Sequence, residues 1–239
     1  MSKSFDDLLA KVSQCSRKTV SVAVAQDAPI LEAVKAAKEK GIADAILVGD
    51  EAKIREVADQ IGMDLTGYEI VNEPDDIEAS LKAVKLVHDH KADMYMKGLL
   101  STKDFLKSVL NKEVGLRNGK PLSHVCVFEI PGIDRLLYLT DVAFMTYPSL
   151  EEKKSIIENS VEVAHACGIP CPKVAPLAAV EVVNPKMPVT VEAAELTKMN
   201  ENGEITGCIV DGPLSMDLAI EPEAAIHKLS LIHISEPTR

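Results

Sequence analysis

The chain has 239 residues, of which 37 are acidic and 26 are lysine or arginine, so that its net charge is −11. This length allows one large domain or two small ones, and a hydrophobic content of 46% excludes disorder over most of the chain. The acidic balance argues against a general binder of nucleic acid or anionic membranes, and no apolar run approaches the roughly 18 residues of a membrane span.

The start of the chain and the cysteines predict a cytoplasmic protein. Residues 1–7 lack the apolar core of a secretory signal. The five cysteines are odd in number and irregular in spacing, which favours reduced thiols. Cys167 and Cys171 lie four residues apart, but no second pair follows them to complete the roughly four ligands of a zinc site. We therefore expect no metal.

Short apolar runs alternate with amphipathic stretches in the first half of the chain. Predicted strands cover residues 20–25, 43–48, 68–71 and 92–96. Predicted helices begin after Asp27 and cover 52–61, 76–88 and 102–110. We expect Asp27 to cap the first helix, with Pro29 in its first turn, and Gly41 to end it. This β-α-β-α order predicts an α/β fold, with a doubly wound parallel sheet covered by helices on both faces.

The pattern changes near residue 125, where we expect a hairpin. Two apolar runs, 125–130 and 135–139, are separated by a Pro-Gly-containing turn at 131–134. We place a domain boundary there, with an N-terminal α/β domain at 1–132 and a second α/β domain at 133–228.

Helices and strands resume after the predicted hairpin. Ser149 and Glu152 have the spacing of a capping box and are expected to open a long helix. A second helix is predicted at 191–199 and a further one starting near Glu221, with strands at 174–179 and 206–210. Two well-supported strands are few for a doubly wound sheet, so we expect the second domain to be incomplete.

The segment Lys97–Lys103 is the main candidate for an anion site. It lies at the carboxyl end of a predicted strand and opens a helix, where free N–H groups, the hydroxyls of Ser101 and Thr102, and a lysine suit a phosphate. Six bases and two acids fall between Lys97 and Lys120 in an otherwise acidic chain, which favours an anionic small ligand. Alternatively, Ser101 and Asp104 form only a capping box and the lysines a solvated helix face, which composition alone favours.

Carboxylates that follow predicted strands are further candidates. Asp211 comes directly after the strand ending at residue 210, where a carboxylate could act as a base or order a ligand; a turn role is equally compatible. For Asp141 we favour the turn role. His88 and His90 close a predicted helix, where a cation is favourable, so we do not expect them to bind metal.

Four of these stretches resemble, in the same order, segments of the phosphate butyryltransferases, which belong with the phosphate acetyltransferases. They are KGLLSTKDFL (97–106), YLTDVAF (138–144), KVAPLAAVE (173–181) and DGPLSMD (211–217). The resemblance runs from about residue 5 to 228. It implies two α/β domains of isocitrate dehydrogenase-like architecture, with the active site in the cleft between them.

The resemblance also implies a reaction and its residues: butyryl-CoA and phosphate give butyryl phosphate and CoA. On this basis Lys97, Gly98, Ser101 and Thr102 are expected to bind phosphate or substrate, and Asp211 and Asp217 to be cleft residues without an assigned role. No cofactor is implied, because CoA is itself a substrate. The expected partners are acyl-CoA and phosphate, with no nucleic acid or membrane, and the full-length family protein is expected to be a homodimer or higher homo-oligomer.

The end of the chain departs from the family. Family members continue for several dozen residues beyond the 211–217 motif and carry there a Ser-Arg pair and an aspartate considered catalytic. Residues 229–239 resemble no part of the family and are interpreted as a non-native tail. We therefore expect a C-terminally truncated form with little or no turnover. The alternatives are a phosphate acetyltransferase, the related acyl-carrier-protein phosphate acyltransferase, or a non-catalytic anion-binding fragment.

Overall fold

The computed structural model describes residues 2–221 and residue 224, which fall into two compact units. One unit consists of residues 9–119, and the other combines residues 1–8 with 120–239. Both strands of the predicted hairpin lie in the second unit, where they pair with each other. The predicted domain boundary after residue 132 would separate these two strands. The domain limits 1–132 and 133–228 remain a prediction, and the tail 229–239 lies outside the described residues.

A first helix, α1 (Phe5–Val12), was not predicted. Ser4 Oγ accepts a hydrogen bond from Asp7 N at 3.1 Å, and Asp7 Oδ2 accepts one from Ser4 N at 3.3 Å. This reciprocal arrangement is that of a capping box with Asp in the place of Glu, and it is the sequence signal that would have located the helix.

The unit 9–119 contains four strands and four helices that alternate along the chain. The strands are β1 (Lys18–Ala23), β2 (Ala43–Gly49), β3 (Glu69–Asn72) and β4 (Met94–Lys97). The helices are α2 (Ala28–Glu39), α3 (Glu51–Gln60), α4 (Asp76–His88) and α5 (Thr102–Val109). All strand pairs are parallel and the strand order is β3-β2-β1-β4, so the predicted α/β class with a parallel sheet is confirmed.

Helices cover both faces of this sheet because strand residues point alternately to either side. On one face Val22 and Leu47 pack with Leu31 of α2 and Ile54 of α3. On the other face the sheet residues pack with α4 and with the start of α5, through the following side chains: Ala23, Val24, Ile46, Val48, Ala79, Ala83, Leu100 and Phe105. Buried faces on both sides explain why β1 and β2 appear as nearly continuous apolar runs.

The ends of the helices follow the sequence signals with one exception. Asp50 Oδ1 accepts hydrogen bonds from Ala52 N and Lys53 N at the start of α3, and Gly41, with φ of +69°, ends α2 as predicted. Asp27 occupies the N-cap position of α2, as predicted, but its side chain makes no capping hydrogen bond there. Pro29 stands in the first turn and has no N–H, which removes one of the donors such a cap would use.

The second unit contains four short strands and three helices in its described part. They are β5 (Cys126–Phe128), β6 (Leu137–Leu139), α6 (Leu150–Ala166), β7 (Lys173–Val174), α7 (Pro188–Glu201), β8 (Ile209–Val210) and α8 (Met216–Ile220). Strands β5 and β6 form the predicted antiparallel hairpin. Ser149 and Glu152 make both hydrogen bonds of the predicted capping box.

A second doubly wound sheet is not formed by the described residues. Strands β7 and β8 form a parallel pair of only two residues each, extended by one bridge between Leu177 and Leu214. Pro172 and Pro176 flank β7 and cannot donate to a ladder, which shortens the strand predicted at 174–179. Glu221 follows the end of α8, and the helix predicted to start there falls mostly outside the described residues.

The core of this unit lies between α6, α7 and strand β8. Ile157 and Val161 of α6 pack with Leu196 of α7, Ile205 and Val210.

Among the described residues, no helix is both long and apolar enough to cross a membrane.

Candidate functional site

The carboxyl ends of β1 and β4 mark the point where the strand order of the 9–119 unit reverses. From β1 the chain adds β2 and β3 on one side of the sheet and then returns to add β4 on the other side of β1. Helix α2, which follows β1, and helix α5, which follows β4, lie on opposite faces. In open α/β sheets such a reversal point is where ligands bind, in a crevice outside the carboxyl ends of the strands, so the ends of β1 and β4 are the candidate position.

Backbone hydrogen bonds hold the segment after β4 against the end of β1. Gly98 N donates to Ala23 O at 2.8 Å and Leu99 N donates to Val24 O at 2.9 Å. A Cβ atom at position 98 would lie 2.3 Å from Val24 O and 2.4 Å from Ala23 O. Only glycine permits this approach, so Gly98, predicted as a phosphate-binding residue, has a packing role in this structure.

The N-terminus of α5 offers two unused backbone donors. Ser101 is the N-cap residue, and its Oγ accepts from Asp104 N at 3.1 Å and donates to Asp104 Oδ2 at 2.7 Å. The N–H groups of Thr102 and Lys103 make no hydrogen bond within residues 2–221. Ser101 therefore caps α5, as the alternative interpretation of its sequence predicted. The N-terminus of α5 still presents free N–H groups and the positive end of the helix dipole.

Four of the six basic residues of the 97–120 segment form two groups. Lys97 and Lys103 are exposed on either side of the Gly98–Thr102 loop. Lys107 instead pairs with Asp104 at 3.1 Å, and Lys120 pairs with Glu162 at 3.1 Å. The hydroxyl of Ser101 and the ammonium of Lys107 hold the pKa of Asp104 below its usual value. The structure thus brings Lys97, Gly98, Ser101 and Thr102 together in one loop, but not the whole basic segment.

A surface groove of about 550 Å³ between α3 and the edge strand β3 is a poor alternative anion site. Its charged lining contains Glu51, Asp59 and Asp64 against one basic residue, Arg55. Because three carboxylates repel an anion, the crevice beside β1 and β4 is the better candidate.

In the second unit, backbone and side-chain hydrogen bonds join the loops after β7 and β8. Ala178 N donates to Leu214 O at 2.9 Å. The Ser215 hydroxyl lies 2.8 Å from Glu181 Oε1 and 2.5 Å from Asp217 Oδ1. Sequence reasoning assigned no role to Glu181 or Ser215, although both occur in the quoted motifs, because they are 34 residues apart and only the fold brings them together.

Asp211 directly follows β8, as predicted, and its N–H donates to Val174 O at 3.0 Å. The next residue, Gly212, begins a cis peptide bond to Pro213, and Thr197 Oγ1 lies 3.1 Å from both Gly212 N and Gly212 O. Asp211 and Asp217 therefore lie at the carboxyl end of the β7–β8 pair. Parallel strands place their carboxyl ends at one edge, which is the position expected for ligand-contacting residues.

Asp141 has the turn role favoured from its sequence. Its Oδ1 accepts from the N–H groups of His124, Ala143 and Phe144, and its Oδ2 from that of Met145, at 2.9–3.2 Å. Burial acts to raise the pKa of Asp141, but these four backbone donors together outweigh it and hold the pKa below the usual value. A carboxylate so engaged organises the loop after β6 and is poorly suited to accept a proton.

His88 lies in the last turn of α4, and His90 follows the C-cap residue of that helix. His88 Nδ1 lies 3.2 Å from Asp89 Oδ1, and Asp89 is the C-cap residue. Within the described part of the chain, His, Cys, Asp and Glu side chains form no group of three that could hold a metal ion.

A sequence profile described as "Phosphate acetyl/butaryl transferase" matches residues 4–80 and 76–235. The chain belongs to this phosphate acetyl/butyryl transferase family. It is 62% identical over 228 residues to the phosphate butyryltransferase of Clostridium acetobutylicum, covering 95% of this chain and 76% of that protein. It is 57% identical over 228 residues to the phosphate butyryltransferase of Clostridium beijerinckii, with the same coverage.

A solved structure of the family has the same fold. The branched-chain phosphotransacylase from Enterococcus faecalis V583 superposes with a TM-score of 0.75 at 34% sequence identity, covering 92% of this chain and 75% of that one. The resemblance inferred from the four strand-end motifs is therefore confirmed at the level of family and fold. For a member of the phosphate acetyl/butyryl transferase family, the loop at the end of β4 has the chemistry that an anionic substrate requires: free N–H groups, exposed lysines and a helix dipole.

Proposed function

We propose that this chain is a phosphate butyryltransferase-type acyltransferase, which converts butyryl-CoA and phosphate to butyryl phosphate and CoA. The observation that carries the proposal is the 62% identity over 228 residues to the phosphate butyryltransferase of Clostridium acetobutylicum. In this reaction an oxygen of hydrogen phosphate attacks the thioester carbonyl carbon. The C–S bond breaks, and the phosphate proton is transferred to the departing sulfur.

Phosphate is proposed to bind at the N-terminus of α5. The N–H groups of Thr102 and Lys103 would donate to its oxygens, the Thr102 hydroxyl would add a third donor, and Lys97 would supply positive charge. Ser101 would act mainly by capping the helix, since its hydroxyl is already engaged with Asp104. Gly98 would act by letting the loop approach β1 closely.

Asp211 and Asp217 are proposed to contact substrate at the carboxyl ends of β7 and β8. No cofactor is proposed, because CoA is a substrate and the chemistry is an acyl transfer between sulfur and oxygen. Much of the rate would come from holding the two anionic substrates in the attacking geometry, with cationic and N–H groups stabilising the charge that develops on oxygen.

The remaining proposals concern surroundings and assembly. We propose a cytoplasmic enzyme that acts on acyl-CoA and phosphate without nucleic acid or membrane partners, and that forms a homodimer or higher homo-oligomer when full length. Free cysteines among the described residues are compatible with a reducing compartment. Size-exclusion chromatography with light scattering would measure the assembly, and a monomer would contradict that part of the proposal.

The function is tested by following thiol release from butyryl-CoA and from acetyl-CoA, each with and without phosphate. Phosphate-dependent release that is faster with butyryl-CoA supports the proposal, and faster release with acetyl-CoA favours the acetyltransferase alternative. Binding of phosphate and of butyryl-CoA is measured in parallel by calorimetry. Absence of both binding and turnover would contradict the proposal.

A charge variant makes the binding test specific for the proposed site. Lys97→Gln should weaken phosphate binding, because it removes a positive charge beside the N-terminus of α5. Lys91→Gln is the matched control, since Lys91 is also exposed but precedes the opposite end of β4. Equal losses in both variants would indicate a general charge effect and contradict the site at the β4 loop.

A further inference from the structure

An apolar side chain projects into solvent beside the proposed phosphate site. Leu99 is 59% exposed, the largest exposed fraction among the large apolar side chains described in the 9–119 unit. Its neighbour Leu100 is 9% exposed and packs into the core with Phe105. The loop after β4 therefore buries Leu100 and exposes Leu99 to solvent.

The backbone holds Leu99 in this position firmly. Its N–H donates to Val24 O at 2.9 Å, and the preceding Gly98 N donates to Ala23 O at 2.8 Å. Val24 is itself fully buried and has a φ of +56°, a left-handed conformation that is uncommon for a β-branched residue. Because these two hydrogen bonds fix the backbone of Gly98 and Leu99, the Leu99 side chain is part of a preformed surface.

The position of Leu99 suits the alkyl part of an acyl phosphate. Leu99 lies two residues before the N-cap Ser101, so their Cα atoms are at most about 7.6 Å apart. In an acyl phosphate the carbonyl carbon is bonded directly to a phosphate oxygen, so the alkyl chain begins three bonds from phosphorus. A phosphate held by the N-terminus of α5 therefore leaves the alkyl chain within reach of Leu99.

We propose that Leu99 forms an apolar contact with the acyl chain and thereby contributes to the preference for butyryl over acetyl groups. The inference rests on the proposed function, because it places the phosphate at the start of α5. A butyryl group exceeds an acetyl group by two methylenes. Complete burial of both methylenes would favour butyryl binding by roughly 15-fold, so a contact with one side chain accounts for part of this factor.

The test measures binding of inorganic phosphate, acetylphosphonate and butyrylphosphonate by calorimetry. The phosphonates replace the labile oxygen bridge of acyl phosphates by a C–P bond, so that binding is measured without turnover. We expect the wild-type chain to bind butyrylphosphonate more tightly than acetylphosphonate. Leu99→Ala should lower this ratio roughly threefold or more, and Leu99→Met, which keeps an apolar side chain of similar size, should retain it.

Two controls separate the acyl contact from other effects. Leu110→Ala removes an exposed leucine at the opposite end of α5 and should leave the ratio unchanged. Inorganic phosphate should bind equally to all four proteins. An unchanged ratio in Leu99→Ala, with phosphate binding intact, would overturn the role of Leu99 and leave the phosphate site standing. If the wild-type chain does not bind inorganic phosphate, the result would instead overturn the proposed phosphate site at α5 and, with it, the role of Leu99.

Discussion

The carbonyl oxygen of Val24 accepts a hydrogen bond of 2.9 Å from Leu99 N, although Val24 has a left-handed backbone with φ of +56°. Such a conformation costs of order 1–3 kcal/mol and persists only where the surrounding structure fixes it. Here the Val24 side chain is fully buried between β1 and the helices on one face, and its carbonyl is turned toward the loop after β4. At the reversal point of the sheet, the hydrogen bond between Leu99 and Val24 therefore fixes the conformation of both the loop after β4 and the end of β1.

Gly98→Ala should destabilise the protein by about 2–4 kcal/mol, since the new Cβ would lie less than 2.5 Å from the carbonyl oxygens of Ala23 and Val24. Those oxygens belong to the backbone at the end of β1 and of the residue that follows it, so the contact cannot be relieved by rotating a side chain. Urea unfolding of the variant and the wild-type chain would measure the loss.

Gly119→Ala is the matched control for this prediction. Gly119 has a φ of +84° and open space around it, so a methyl group there should cost only about 1 kcal/mol of left-handed strain. A Gly98→Ala protein as stable as the wild type would show that the approach of the β4 loop to β1 is not tight.

Ser101→Ala should lower stability by about 1 kcal/mol, because it removes the side chain that caps α5. Ser101→Asn should recover most of this loss, since an Asn side chain can accept a hydrogen bond from the same N–H.

Thr102→Val should leave stability nearly unchanged but weaken phosphate binding, because it removes a hydroxyl at the first position of the helix. Thermal unfolding and calorimetric titration with phosphate measure the two effects.

The two hydroxyls therefore separate capping from binding. If Ser101→Ala weakens phosphate binding more than Thr102→Val, while Ser101→Asn fails to restore stability, Ser101 contacts the ligand directly and the assignment of the two hydroxyls is reversed.

The alternation of strands and helices in the 9–119 unit could be predicted because its signals are local. The predicted limits of α4, residues 76–88, are those of the structure, since Asp75 caps its start and Lys85 and His88 lie in its last turn. The same reasoning overestimated the strands of the second unit. Apolar runs are present at 174–179 and 206–210, but Pro176 interrupts the first, and pairing over more than 30 residues is not visible in a local pattern.

The candidate site divides in the same way. The start of α5 at Thr102 and the exposure of its N-terminus follow from Ser101 and Asp104, which are close in sequence. The packing role of Gly98 depends on β4 lying next to β1, and the contact of Ser215 with Glu181 depends on β8 lying next to β7. Both require the strand order, which the sequence pattern alone does not contain.

Asp141→Asn should destabilise the protein at pH 7 by about 1–3 kcal/mol, because an amide oxygen replaces a carboxylate that accepts four backbone hydrogen bonds. Its pKa is lower in the folded than in the unfolded chain, so its contribution to stability is present above about pH 4 and is lost as the pH falls through the folded pKa. The variant should therefore lose less stability than the wild type between pH 5 and pH 3.

Urea unfolding at several acidic pH values would test this difference. Glu204→Gln changes an exposed carboxylate of the same unit and should leave the acid dependence as in the wild type. Parallel acid limbs for Asp141→Asn and the wild-type chain would mean that Asp141 titrates alike in the folded and unfolded states, contrary to its hydrogen bonding.

Cys208 should resist alkylation in the folded protein. Burial, with a smaller effect of the neighbouring Cys171, raises the pKa of the Cys208 thiol to about 11. At pH 8 only about one molecule in a thousand would carry the thiolate, which is the reactive form. Exposed Cys15 should therefore react with iodoacetamide at least about 100-fold faster than Cys208, as followed by mass spectrometry of the digested chain. In urea the two rates should become similar, because unfolding removes the burial that raises the pKa. Equal rates in the native protein would instead show that Cys208 is accessible and that the strand β8 it precedes opens readily.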